Sequence, residues 1–524
     1  MKRTILDRAI GYFSPRAEVR RLQARRYVEA MAAREYAGAS HGRRFGEWIT
    51  GGKDSDAEAK TAAPTMRDRA RSLVRDNPYA SAAVEEWEQN AAPIAVRSQV
   101  AGVAPEAARP INDRIDSLWY EWSRRADFNG VTDFNGLQNI IVRAVRQDGG
   151  VLVRRRPVPA NAGMAIPFQL QLLEMDYLDT SRDRTKPEGG YINGGMEFDS
   201  DGRRIGFWLY KQHPGASVPY GRNDRPESVF VSADEILHVF DPLRPGSHIG
   251  VTSFSTVIQK ARDIDGYEEA ELVRKQTEAC LTAIVEDMAP VEDTETLGAP
   301  LKDSEGNVVE SFNPGMIAYT SPGRQVRFNQ PAPAPGTVDY LASQHRGMAA
   351  GLRVPYELMT GDLSRVSFIS GRMGLISFRR GVRKFQNKVM IPQLLDRVWD
   401  WFIAYGQAAG VIPNMRVWAR YTPPRWESIQ PAEDAKADLM DIRSGARTLP
   451  QVIAERGGDF ADQIGEIAEA NKMLDELEVI LDSDPRQRTA NGMPADQPTE
   501  QPVNPPESPS SDSGARIVDL GSRR

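Results

Sequence analysis

Four places in the chain hold residue types that could do chemistry. Gly51-Gly52-Lys53-Asp54 has the glycines and the lysine of a phosphate cradle. A nucleotide loop needs a Ser or Thr hydroxyl for magnesium next to the lysine, and Asp54 stands there instead. Asp199, Asp201 and Gly202 offer carboxylates in a turn, but the glycine is fourth rather than sixth and no Glu closes the loop, so a turn is the better reading. His238 and His248 have no partner at helix-ligand spacing. Cys280, the single cysteine, is either a reactive thiol or a small core residue, and its surrounding helical periodicity favours packing. HExxH, paired-cysteine and G-x-S-x-G motifs are absent, and the carboxylates do not cluster as in a metal-dependent nuclease. Neither catalysis, a metal nor a cofactor is expected.

What remains is charge and its distribution. Residues 262–287 hold eight acidic against three basic residues, with Asp263, Asp265, Glu268, Glu269, Glu271 and Glu278 the main series. Residues 372–388 hold six basic residues and no acids: Arg372, Arg379, Arg380, Arg383, Lys384 and Lys388. Such a face either meets DNA or neutralises an acidic neighbour across a subunit interface. The interface is the preferred reading. Between these series, Ser364, Arg365, Val366, Ser367, Phe368, Ile369 and Ser370 form a mobile-looking loop with one charge. The net charge of −6 argues against a chain that grips DNA throughout and not against one that lets DNA pass.

These series need elements to carry them. The acidic one lies in a helical pattern over 253–287, too polar to be enclosed on all sides and better read as one stave of a barrel. A second helix is predicted over 337–352. A third starts at Arg372, with Leu375, Phe378, Val382, Phe385 and Val389 at three- and four-residue steps and Leu394 five further on. Upstream, residues 65–92 read as two helices broken at Asn77-Pro78, with further helices near 106–125 and 133–147. Trp119, Trp122 and Phe128 could stack bases, but core packing is preferred because no basic residues interleave. From Gly150 the texture becomes strands, including a hairpin turning at Asp199-Ser-Asp-Gly. Residues 1–44 carry eleven Lys/Arg against four Asp/Glu in an Arg-rich helical arm, a nucleic-acid surface or simply a solvated face; 51–64 read as a mobile polar linker.

Val354-Pro-Tyr-Glu-Leu-Met-Thr-Gly-Asp-Leu-Ser364, followed by R-x-G-L-x-x-F-R-R from Arg372, resembles the signature of lambda-type bacteriophage portal proteins. Further landmarks occur in order: Tyr36-Ala-Gly-Ala, Arg43-Arg44 and Trp48, then Arg75-Asp-Asn-Pro-Tyr-Ala80, then the stretch from Val229 to Val251. Family members usually carry Asn-Tyr-Ser-Ser where this chain has Ser367-Phe-Ile-Ser370. The resemblance implies an α+β portal fold, with an α/β wing, a two-helix stem, a small β-rich clip, a long helix after a tunnel loop, and a helical crown. It assigns 1–64 to an arm and linker, 65–252 to the first part of the wing, 253–287 to a stem helix and 288–336 to the clip. The returning stem helix is 337–363, the tunnel loop 364–371, the long helix and rest of the wing 372–430, the crown 431–481, and 482–524 a tail. Seven prolines and few apolar groups predict disorder for that tail.

The implied function is a ring, usually of twelve copies, at one capsid vertex. Double-stranded DNA would pass along its channel during packaging and ejection, with the tunnel loops touching the duplex. Implied partners are the large terminase, the head-tail adaptor, the major capsid protein, the scaffold and the DNA itself, with assembly in the host cytoplasm. Twelve copies would carry about −72 (12 × −6). No run approaches the roughly 18 apolar residues of a membrane span, and Asp7 and Arg8 interrupt the N-terminal apolar patch, so neither membrane nor secretory signal is expected. A packaging ATPase or nuclease and a tail adaptor are the competing readings. The first lacks a phosphate loop, and the second is usually shorter and lacks long helices bracketing a clip.

Overall fold

A computed structural model describes residues 51–159, 162–217, 227–280, 283–285, 317–319 and 336–481. The basic arm, most of the clip, the C-terminal tail and the side chains of Glu278 and Cys280 lie outside the described residues, with the expectations attached to them.

The expected linker at 51–64 is largely helix. Asp54 accepts a hydrogen bond from Ala57 N (2.7 Å) and starts α1, Ser55–Asp76, which runs through Pro64. Asp56 fixes it in place: its carboxylate accepts from His248 N (2.7 Å) and Ile249 N (3.2 Å) and meets His248 Nδ1 at 2.8 Å. Asn77-Pro78 breaks the helix as expected. Pro78 opens α2 (Pro78–Ala91), and Asn77 Oδ1 accepts from Ala80 N at 3.0 Å.

After β1 (Ala95–Val100) come α3 (Pro105–Ser123) and α4 (Phe134–Asp148). Gly149, at φ 90°, turns the chain straight into β2 (Gly150–Pro157). A Cβ there would sit 2.8 Å from the backbone of Val251 and Thr252, so only glycine fits. The strands β3 (Phe168–Leu173), β4 (Arg184–Thr185), β5 (Tyr191–Asn193), β6 (Met196–Phe198), β7 (Arg204–Tyr210), β8 (Ser228–Ser232) and β9 (Ile236–Phe240) follow. They form two antiparallel sheets, ordered β3-β2-β9 and β4-β5-β6-β7-β8. The hairpin expected at Asp199 joins β6 to β7.

α5 covers Ile258–Cys280, shorter than the 253–287 expected; a 3₁₀ turn at Ser253–Thr256 precedes it. β10 (Ala283–Val285), in the stretch expected to end the stem helix, pairs in parallel with β11 (Ile317–Tyr319), in the stretch expected to form the clip. The chain returns through α6 (Thr337–Leu352), a short α7 (Tyr356–Thr360) and α8 (Phe368–Phe385). A π-helical stretch, Gln386–Leu395, takes up Pro392, which cannot donate to a regular helical ladder, and α9 (Asp396–Ala408) continues it. β12 (Val417–Thr422) then pairs with β1, Val96 facing Tyr421.

The main aromatic core lies between α3, α4, β3 and α9. Trp119 packs against Phe134, Trp399 and Phe402, and Trp122 against Phe168 at 4.9 Å between ring centres. The core reading of Trp119 and Trp122 therefore holds. Phe128 departs from it: it is 42% exposed, with the Arg156 guanidinium over its ring.

Residues from Arg425 onward form a separate compact unit, with α10 (Pro431–Ser444), α11 (Leu449–Glu455) and α12 (Phe460–Glu476). Asp438 of α10 draws in Arg447 (2.8 Å) and Arg456 (2.6 Å) around α11. Leu439, Met440, Ile464, Ile467 and Met473 stay exposed.

Candidate channel loop and its helical mounts

The loop between α7 and α8 is shorter than the sequence suggests. Ser367 is the N-cap of α8: its hydroxyl accepts from Ser370 N (3.2 Å), and Ser370 Oγ accepts from Ser367 N (3.1 Å). Phe368, Ile369 and Ser370, expected in the loop, are thus the first turn of the helix. The loop proper is built by Asp362, whose Oδ1 accepts from the Ser364 amide (3.0 Å) and hydroxyl (2.5 Å) while Oδ2 accepts from Tyr356 OH (3.1 Å). The Ser364 hydrogen bonds, with that of Tyr356, hold the Asp362 carboxyl below its usual pKa. The one cation, Arg365, pairs with Asp339 at the start of α6 at 3.0 Å. Its charge is therefore partly answered within the chain.

The projecting surface is apolar. Ile369 is 72% exposed and Phe368 49%, with Leu363, Met373 and Ile376 continuing the patch on both sides. Sequence reasoning missed the last three. Leu363 follows the Thr360-Gly361-Asp362 break, and Met373 and Ile376 lie off the Leu375–Phe378–Val382 stripe of the helical pattern.

The helices that carry this patch are tightly mounted. Trp87 of α2 meets Phe378 and Phe385 of α8 edge-on, and its Nε1 donates to Leu352 O at the end of α6 (3.2 Å). Gln386, fully buried, donates to Ala91 O at 3.1 Å, and Gln393 Oε1 accepts from Phe240 N at 3.0 Å. α8 and its continuation are thereby fixed to α2 and to β9.

At the base of the paired helices, Asn77 Nδ2 donates to Asp265 Oδ1 of α5 at 2.7 Å. Tyr79 packs on His345 of α6, ring centres 4.3 Å apart, and His345 Nε2 lies 3.6 Å from Glu268, too far for a hydrogen bond. Burial lowers the pKa of His345, with Glu268 partly opposing. Glu271 pairs with Arg274 one turn on, at 2.5 Å. The acidic series is accordingly less uniform than expected. Asp265, Glu268 and Glu271 face groups of their own chain, while Asp263 and Glu269 are exposed. Leu272 and Val273 of α5, and Val338 and Tyr340 of α6, leave apolar area exposed beside them.

Five of the six basic residues lie on α8, on the side away from Phe378, Val382 and Phe385 as 100° per residue dictates, and Lys388 follows in the π-helical stretch. Arg380, Arg383, Lys384 and Lys388 are exposed; Arg372 and Arg379 are half-buried. Lys388 meets an acidic neighbour of its own chain, Asp241 (2.8 Å), and also donates to Pro242 O (2.6 Å). That contact is internal, where the basic face was expected to meet either DNA or another subunit.

Among the described residues one grouping, Glu174, Asp176 and His213, converges as metal ligands can. Arg71 already reaches Glu174 (3.0 Å), Asp176 (2.8 Å) and Asp148 (2.5 Å). Burial works against its charge, yet the Asp148 hydrogen bond and the surrounding carboxylates hold its pKa above normal. The cluster is an ion-pair network. His238 is buried on Arg204 Nη1 (3.2 Å) and His248 is held by Asp56, so neither meets the other as a ligand. No described helix is long and apolar enough to cross a membrane.

Comparison with known proteins gives the family. The family described as "Phage portal protein, lambda family" matches residues 41–386, about two-thirds of the chain. A "Probable portal protein" of Halomonas phage phiHAP-1 is 26% identical, over 77% of this chain and 79% of its own length. The "Portal protein" of Escherichia phage N15 is 21% identical, over 83% and 91%. Among solved structures, the neck of an empty gene transfer agent particle computed with C6 symmetry aligns at 14% identity and TM-score 0.38, over 72% of this chain and 90% of that one. The neck of a native particle computed with C12 symmetry aligns at 14% and 0.37, over 75% and 95%. Portal proteins of this kind are structural, non-enzymatic components of the virion, and this chain belongs to the lambda family of phage portal proteins.

Proposed function

We propose that copies of this chain close into a ring, of twelve by family habit, at one vertex of the capsid. Double-stranded DNA is packaged through its channel by a separate motor and later leaves the same way. The observation that carries this reading is the exposed apolar patch of Leu363, Phe368, Ile369, Met373 and Ile376 on tightly mounted helices, with Arg365 beside it paired to Asp339 and Arg372 half-buried. Projected into a channel, it touches a duplex without displacing counterions from phosphate, so contact does not become grip. The exposed apolar residues of α5 and α6 supply area for neighbouring copies, and the Arg379–Arg383 side of α8 meets an adjoining copy. The clip would dock the large terminase and then the head-tail adaptor. Assembly in the host cytoplasm with major capsid protein and scaffold completes the reading.

Serine at Leu363, Phe368 and Ile369 together tests it. Rings should form as in the wild type while the DNA retained per particle falls. Loss of ring assembly, or unchanged DNA content, contradicts the assignment.

A further inference from the structure

A cavity of about 340 Å³ opens where α2, α4, α6 and α8 converge with the loop after β9. Its wall carries Arg146, Arg353, Lys384 and Lys388 against one carboxylate, Asp241, a net charge of +3 (4 − 1). Lys388 takes up that carboxylate. Neither Arg353 nor Lys384 has an ion pair among the described residues.

The floor is unusual. Arg146 is 7% exposed and stacks on Trp87, 3.8 Å from the ring centre. Among the described residues its guanidinium makes one hydrogen bond, to Leu352 O, long at 3.4 Å, and its Nε has no partner. Burial brings its pKa down to about 10, with Asp241 opposing and Arg353 adding to the fall. A buried guanidinium with spare donors is costly unless something answers it. Arg353 adds a second cost, since it is a non-glycine residue at φ 59°, a left-handed conformation that carries its side chain to this wall. Ser253 and Ser255 add hydroxyls to the lining.

We infer that this cavity binds a small oxyanion of the inorganic phosphate class, held by Arg146 from below and by Arg353 and Lys384 at the mouth. A dianion answers most of the excess charge, and its several oxygens match a wall made of donors. The cavity is too small for a duplex, so the favoured source is free phosphate rather than a DNA backbone.

The test is calorimetric titration of the full chain with sodium phosphate, against sodium chloride at equal ionic strength. Saturable binding of phosphate but not chloride is expected. Because Arg146 variants threaten the fold, Arg353→Asn, which still tolerates the left-handed backbone, and Lys384→Met are the informative changes. Each should weaken phosphate binding by about ten-fold or more, as losing a charge-assisted hydrogen bond does, with thermal melts in chloride showing an intact fold. Absence of saturable heat, or unchanged affinity in both variants, overturns the assignment. Displacement of phosphate by a short blunt duplex would overturn the free-anion reading, and failure to displace it supports that reading.

Discussion

Asn77 ends one helix, begins the next and ties both to a third. Its side-chain oxygen caps α2 while its amide group reaches Asp265, so one side chain ties the α1–α2 break to α5. Gln386 and Gln393 work similarly on the long helix, each spending an amide on backbone groups that would otherwise be buried unpaired. Asn77 is legible as a helix break, but its tie to Asp265 is not, and Gln386 and Gln393 carry no sequence signal beyond polarity because their partners lie far along the chain. His238 leads to a measurable consequence. It is buried, and burial, then the charge of Arg204 and then His248, hold its pKa well below the ordinary imidazole value. In the unfolded chain it titrates near 6.5, so the unfolded state takes up the proton first. Stability is therefore complete above about pH 6.5 and declines as pH falls toward the folded-state pKa, by up to about 1.4 kcal/mol per pH unit. Urea melts of wild type and His238→Leu across that window should show a shallower pH slope in the variant, with part of the slope left to His345. Parallel slopes would remove His238 from the account.

Helices and strands were mostly legible where periodicity was long and punctuation local. Asn77-Pro78, the Asp199 turn and the Phe378–Val382–Phe385 stripe all lie as the sequence suggests. Reading failed where a distant group decides. Ser55–Pro64 looks like a linker because its polarity is visible, while the His248 and Ile249 amides that hold Asp56 are almost two hundred residues away. The start of α8 was missed because its capping pair is Ser367 with Ser370, not the usual Ser with Glu. The same cap makes a prediction. Ser367→Ala should destabilise the chain by about 1 kcal/mol, the usual value of an N-cap, read as a lower urea midpoint with an unchanged m-value. An unchanged midpoint would mean that the first turn of α8 is held by something other than its cap.

In the whole assembly, charge and apolar area divide the work. In the proposed ring, a net charge of −6 per copy would repel phosphate, and the exposed apolar residues of α5, α6 and the Arg425 unit would be the area offered to like copies. Reversing Arg379, Arg380 and Arg383 to Glu should leave the circular dichroism spectrum intact and abolish ring formation, seen by sedimentation; normal rings would move that face out of the interface. The site itself was only partly legible, because a loop between two helices is visible in a sequence and the hydrogen bonds that set its length are not. Electron microscopy of the purified chain reaches the central claim most directly. Closed rings with a central hole wide enough for a duplex are predicted, with the Leu363–Ile376 edge lining the bore. A sample that stays monomeric at all concentrations, or closed rings with that edge on their outer rim, would contradict it.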